Sequence, residues 1–365
     1  MLRITTLRSL AALLLPALGA CAQLSGHTRT YYIAAEPIDW NYTPEPAYKS
    51  KLIIAGDRDF PPTPKIDLTT WKKAVFREYT DQTFQTRKPV APEWEHLGIL
   101  GPAIRAEVGD TIKVYFRNNT NLILTMHPHG LAYDKESEGA WYFRDGVGPA
   151  AKSAGDAVWP GKSFIYTWNV PERAGPGPGD GSSVLWMYHS HYIESRDMNA
   201  GLLGPIIVTR KGMARPDGSP KDVDREFVVA FAVFDESTSA FFMQNVVSRA
   251  KTPLSVVHDP AFPKALLFYT LNGFSYGNLP MLTMKKGERV RWYLLSNSNE
   301  DDVHAPHWHG QTVIYNMMRT DTLSLGPMMM MVADMIPDQT GTWLFHCHVN
   351  DHLDKGMVGL FTVTP

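Results

Sequence analysis

The chain repeats itself, and the repeat constrains everything else that can be said of its fold. Gly109-Asp110-Thr111-Ile112-Lys113-Val114 leads to His127-Pro128-His129-Gly130, as Gly287-Glu288-Arg289-Val290-Arg291-Trp292 leads to His307-Trp308-His309-Gly310. Further on, Trp186-Met187-Tyr188-His189-Ser190-His191 lines up with Trp343-Leu344-Phe345-His346-Cys347-His348. Motifs that recur in the same order mark one domain duplicated. Between them lie short runs rich in branched and aromatic residues, such as IKVYFRNN (112–119), SFIYTWNV (163–170), GPIIVTR (204–210) and ERVRWYLLSN (288–297), separated by turn residues. The expected fold is all-β, two tandem sandwiches. The first is expected over residues 28–210 and the second over 225–365, joined by the polar, Pro/Gly-rich linker 211–224. The 365 residues leave room for two domains of ordinary size. A Pro-bearing loop is expected over 247–264, and GPGPGDGSS (175–183) reads as a plain connection.

The last run, GTWLFHCHVNDHLDKGMVGLFTVTP, holds His346, Cys347, His348, His352 and Met357. Two His, one Cys and a weak axial Met suit a copper ion held for electron transfer. Neighbouring side chains on a strand point to opposite faces, so Cys347 can bind one metal while His346 and His348 face another. That gives an electron a short covalent path from the sulfur to both imidazoles.

The segments YYIAAEPIDWNY, YTDQTF, LGILGPAIRAEVGD, HGLAYDKESEGA, YHSHYIESRDMNAGLLGPIIV, LNGFSYGNLPMLTM and HWHGQ, with the HCH run, resemble the multicopper oxidases of the ceruloplasmin-like branch. The likeness runs from about Tyr31 to the C-terminus. Those relatives have six domains; this chain looks like a bacterial two-domain member, of small-laccase type, built from cupredoxin-like Greek-key domains. The two halves differ where a blue (type 1) copper would sit. Cys347 is matched by Ser190, His352 by Ser195 and His304 by Leu124, so only the second domain is expected to hold one, on His304, Cys347, His352 and axial Met357. The resemblance implies that the paired His motifs of both halves enclose three further coppers, four per chain in all. His127 and His307 would hold the type 2 ion; His129, His189 and His348 one type 3 ion; His191, His309 and His346 the other. Asp134, Glu136, Glu138, Asp301 and Asp302 are acids near these motifs that could supply protons. His27, His96 and His258 read as surface or structural residues.

The expected activity is one-electron oxidation of a small reductant coupled to four-electron reduction of O₂ to water. A copper nitrite reductase and a copper-buffering or electron-carrying protein without turnover are the alternatives. Phenols and aromatic amines are the default donors. Asp351 matches one acid of the iron-oxidising site of ceruloplasmin relatives, but Lys264 and Tyr269 stand where that site has an acid and a His. Met317, Met318, Met328 to Met331 and Met335 could serve Cu⁺ or could be apolar packing. In the six-domain relatives the cluster lies between the first and last domains of a ring. The same arrangement here implies a homotrimer, with each cluster shared between two chains.

A net charge of −2 and no basic patch argue against a nucleic-acid partner. Residues 1–21 have the layout of a signal peptide, Arg3 and Arg8 before the apolar run Leu10 to Leu18. Leu18-Gly19-Ala20-Cys21 resembles the lipobox of bacterial lipoproteins, which implies export, acylation of Cys21 and a membrane link through that lipid alone. With Cys347 committed to metal, no disulfide is expected within the chain.

Overall fold

The computed structural model describes residues 26–45, 69–142, 154–248, 266–297 and 303–365. Cys21, His258, Lys264, Asp301 and Asp302 lie outside the described residues, as does the proposed signal segment. The chain forms strands in two successive sets. The first comprises β1 (Thr28–Asn41), β2 (Thr70–Tyr79), β3 (Ile104–Glu107), β4 (Thr111–Asn118), β5 (His127–Pro128), β6 (Ser163–Asn169), β7 (Ser183–His189) and β8 (Leu203–Thr209). The second comprises β9 (Arg225–Asp235), β10 (Leu267–Leu271), β11 (Leu282–Lys285), β12 (Val290–Asn297), β13 (Pro306–Trp308), β14 (Val313–Tyr315), β15 (Met318–Thr320), β16 (Met330–Met335), β17 (Gly341–Cys347) and β18 (Val358–Thr364).

The repeat read in the sequence is a repeat of topology. The first set makes sheets β2-β1-β4-β6 and β3-β8-β7-β5; the second makes β10-β9-β12-β16, extended by β14 and β15, and β11-β18-β17-β13. Each sandwich has its own core, one around Phe76, Phe116, Tyr166 and Trp168, the other around Phe231, Trp292, Trp308 and Phe345.

Matching strands differ on their outer faces, and that difference sets how the halves pack. In β4, Ile112, Val114 and Phe116 point inward while Lys113, Tyr115 and Arg117 point out, the alternation of a half-buried strand. In β12, Val290, Trp292 and Leu294 join the domain's own core, but Tyr293 and Leu295 are buried as well. A strand buried on both faces reads as a continuous apolar run. The covering layer is the sheet carrying β7 and β8, whose Leu185, Met187, Leu203 and Ile207 meet Val228, Ala230, Ala232 and Phe234 of β9.

Polar groups in this interface are paired, as burial requires. Arg105 grips Glu226 with two parallel bonds of 3.1 and 2.8 Å. Arg291 donates to Asp334 and to the hydroxyls of Ser182 and Ser183. A Cβ on Gly181 would lie 2.4 Å from the Arg291 guanidinium, so the 175–183 connection is fitted to the interface. Lys73 and Glu236, both fully buried, form an ion pair joined by Tyr42 and the carbonyl of Asn199. Among the described residues no helix is long and apolar enough to cross a membrane.

Candidate metal centres

Cys347 ends β17, and the chain returns to it twice. His304 lies just before β13, and of the short helices α1 (Glu194–Asn199), α2 (Phe242–Ser248) and α3 (Asn350–Asp354) the last brings back His352. Cys347 Sγ is 3.5 Å from His352 Nδ1 and 4.0 Å from His304 Nδ1, and the two Nδ1 atoms are 3.2 Å apart. All three residues are buried, and so is Met357, whose carbonyl accepts the Cys347 N–H. Two imidazole nitrogens and a thiolate sulfur converging on one dry point, with a thioether residue buried next to it, fit copper. Sγ also accepts the Ala305 N–H at 3.3 Å, a bond that fixes the sulfur.

The paired His motifs form two tetrads of the same build. His127 pairs in register with His189 across β5 and β7, and His307 with His346 across β13 and β17. His129 Nε2 faces His189 Nε2 at 3.0 Å; His309 Nε2 faces His346 Nε2 at the same distance. His191 and His348 complete each set, with ring centroids 5.1 Å from His127 and 5.0 Å from His307. In both, a backbone carbonyl takes the proton of Nδ1: Glu138 for His127, Asp321 for His307, Ser190 for His189, Cys347 for His346. That tautomer leaves Nε2 free to ligate. Glycine after each pair is required by packing: at Gly130 and Gly310 φ is +72° and +67°, and a Cβ would run into Trp186 or Trp343.

Burial, reinforced by neighbouring imidazoles, drives His127 down to about 3 and His189 well below the ordinary range; it also lowers His129 and His309. His346 is pulled to about 4, again chiefly by burial. These rings are neutral at pH 7 and open to metal without losing a proton first. Among the described residues every His–His ring contact within these sets joins residues of one half only. The chain's own two tetrads are not brought together.

The first half also shows what replaced a blue site, and here the sequence reading needs correction. Ser190 stands for Cys347, and its Oγ accepts the Thr125 N–H just as Sγ accepts that of Ala305. Ser195, however, is not the counterpart of His352. Leu202 N–H bonds to the Asp197 carbonyl as Met357 N–H bonds to that of His352, and the Ser190 and Cys347 amides bond to Leu202 and Met357. The first half has two extra residues between Ser190 and Asp197, one before and one within the helix α1 (Glu194–Asn199), which moves the register to Asp197. Buried Asp197 accepts from Ser190 Oγ at 2.8 Å, with its pKa raised by burial. Ser190, Asp197 and Leu202 thus form a closed hydrogen-bonded group, with Leu124 buried in the core and no soft ligand among the four.

The acids singled out near the motifs are largely occupied. Asp134 caps a turn through Ser137, and Glu138 pairs with Lys135. The carboxylate that does reach a tetrad was missed: Glu194 lies 3.5 Å from His191 Nε2 and 3.9 Å from His189 Nε2. Its spacing from His191, one helical turn, was the available signal. Asp351 is exposed beside His352 and paired with Lys355. His96 is structural, buried between the two halves; His27 is on the surface. The methionines are dispersed. Met331 and Met335 are in the second core and Met328 and Met330 pack on the interface, while Met317 and Met318 sit exposed at the β14–β15 turn.

Models described as multicopper oxidase match residues 97–212 and 249–365, the stretches that carry the two tetrads. Over 347 residues, 92% of this chain, it is 37% identical to hephaestin of Rattus norvegicus and 39% identical to ceruloplasmin of Homo sapiens. These alignments take in 29% and 32% of the relatives, so the chain spans about a third of the length of the curated relatives it matches. A crystal structure of a multicopper oxidase superposes with a TM-score of 0.57 at 20% identity, covering 92% of this chain and 89% of that one, a likeness of fold. The duplicated sandwich, the two His tetrads and the Cys/His/His group agree with these matches: the chain belongs to the multicopper oxidase family, and its cofactor is copper.

Proposed function

We propose that the chain is an oxidase that takes single electrons from a small reductant at the Cys347 site and uses four of them to reduce O₂ to water at a cluster lined by the two tetrads. The observation that carries this is the completeness of the donor set: eight imidazoles in two matching tetrads, with a buried Cys/His/His group joined to one of them by adjacent residues. His304, Cys347, His352 and Met357 would hold the type 1 copper. His127 and His307 would hold the type 2 ion, and His129, His189 and His348 with His191, His309 and His346 the type 3 pair, four coppers per chain. Bound copper supplies the reversible one-electron chemistry; the protein supplies the path. That path runs from Cys347 along its own backbone to His346 and His348, shortened by the His346 Nδ1 bond of 2.8 Å to the Cys347 carbonyl. Glu194 sets a carboxylate 3.5 Å from His191 Nε2, placed to relay protons to the first tetrad.

The active form on this reading is a homotrimer. Each chain carries two half-clusters that do not meet, and its internal interface engages different faces of the two halves, so copies can join head to tail and close a ring. Ile193 and Tyr142, exposed apolar side chains near the first tetrad, suit such a contact. We place the protein outside the cytoplasm, anchored through a lipid on Cys21.

Copper content, visible absorption and oxygen uptake of the copper-loaded protein test the reading. Cys347→Ser should remove the blue band and one copper per chain, retain the type 2 signal and reduce donor-driven oxygen uptake to background. Nitrite consumption without oxygen uptake would mark a nitrite reductase instead, and copper binding with no turnover a carrier.

A further inference from the structure

At the outer edge of the Cys347 group, three side chains from two segments meet over His352. Tyr269, on β10, sets its ring 5.1 Å from that of His352 and is nearly buried. Lys355, which follows α3, reaches back so that its ammonium lies 4.7 Å from the Tyr269 ring centroid and 3.3 Å from the Tyr269 hydroxyl. The same ammonium donates to Asp351 at 2.5 Å. The outer atoms are open, with the Lys355 and Asp351 side chains 46% and 65% exposed. An exposed ion pair contributes little to stability, so folding alone gives Lys355 no strong reason to be there.

A metal-ion donor would approach His352 past Asp351, the carboxylate that among the described residues meets this group. That carboxylate is already engaged by an ammonium of the chain itself, and the ring between it and the ligand is a phenol. A divalent cation would have to displace Lys355 and then sit close to its fixed charge. A flat aromatic anion meets the opposite condition, a half-exposed ammonium that can pair with it while shared with Asp351, next to the Tyr269 ring.

We propose that Tyr269, Lys355 and Asp351 form the donor-entry patch of the blue site, and that Lys355 turns it towards aromatic reductants bearing a negative charge, such as phenols with a ring carboxylate, and away from divalent metal ions. This rests on the oxidase reading above and names its substrate class. Each phenol gives up one electron and its hydroxyl proton and leaves as a phenoxyl radical that keeps its carboxylate. Four such oxidations balance one O₂ and four protons going to two waters.

The test uses the copper-loaded protein and its Lys355→Glu variant, with two independent readouts. Calorimetric binding of benzoate, benzamide and benzylammonium compares three redox-inert rings that differ in charge. Oxygen uptake then gives kcat/KM for hydroxybenzoate and for Fe²⁺. The wild type should bind benzoate most tightly. Lys355→Glu should weaken benzoate binding and hydroxybenzoate kcat/KM by on the order of tenfold, strengthen benzylammonium, leave benzamide unmoved and raise the Fe²⁺ rate. Should Lys355→Glu not fold, Lys355→Met should level the three affinities. An order of affinities unchanged by the variant, or Fe²⁺ outpacing hydroxybenzoate in the wild type, overturns the proposal. If no donor drives oxygen uptake, the oxidase reading fails while the binding series still judges the patch.

Discussion

His96 ties the two halves together in one protonation state only. Its Nε2 accepts the Val228 N–H at 3.1 Å and its Nδ1 donates to the Glu93 carbonyl at 2.8 Å, with the ring packed against Trp94 and Phe227. A second proton would have no acceptor at Nε2 and would bury a charge. Burial accordingly lowers its pKa from the ordinary 6.5 to about 4. The sign follows: the neutral form favours the native state, its contribution is intact above pH 6.5, and it is lost as the pH falls from 6.5 towards 4 because the unfolded chain takes the proton first. The shift corresponds to about 3 kcal/mol in full, of which about 2 kcal/mol should disappear between pH 7 and pH 5. His96→Gln keeps an acceptor for Val228 and removes the titration. Denaturation of the copper-loaded wild type and the variant, compared at each pH from 7.5 to 4.5, cancels contributions common to both. The wild type should lose its advantage over that range by roughly the stated amount. Parallel pH profiles would refute the reasoning.

Two further predictions rest on buried groups. Grafting Leu124→His, Ser190→Cys and Asp197→His should give the first half a blue-copper absorption of its own, whereas the same graft with Ser195→His in place of Asp197→His should not; equal colour in both would refute the backbone register. Lys73→Met leaves Glu236 buried without its cation and should cost about 3–5 kcal/mol in denaturation experiments, with most of it recovered by adding Glu236→Gln. A loss below about 1 kcal/mol would mean that the pair is not held in dry surroundings.

The all-β duplicated fold was legible because its two signals are steric. The glycine after each His pair exists to clear a tryptophan that recurs with it, Gly130 with Trp186 and Gly310 with Trp343, so the motif spacing carries the packing. Other features left no such trace. Arg291 reads as a surface charge in an alternating strand, yet it is buried because the second half's outer face is covered while that of β4 is not. Asp197 was hidden by two extra residues between it and Ser190, which only backbone hydrogen bonds reveal. The contact of Lys355 with Tyr269 joins residues far apart in the chain, and spacing says nothing about it.

The proposed cluster shared between two chains can be tested by restoring it across an interface. One variant carries His127→Ala and His129→Ala, the other His307→Ala and His309→Ala, and the two are co-expressed with different tags so that mixed trimers can be isolated. Neither variant alone has an interface with all eight imidazoles. Every mixed trimer has one interface in three, about a third, that pairs an intact first half with an intact second half. Oxygen uptake should return to about that fraction of the wild-type rate in the doubly tagged species, with each variant inactive alone. Mixed oligomers without activity, or a wild-type active species that runs as a monomer, would contradict it.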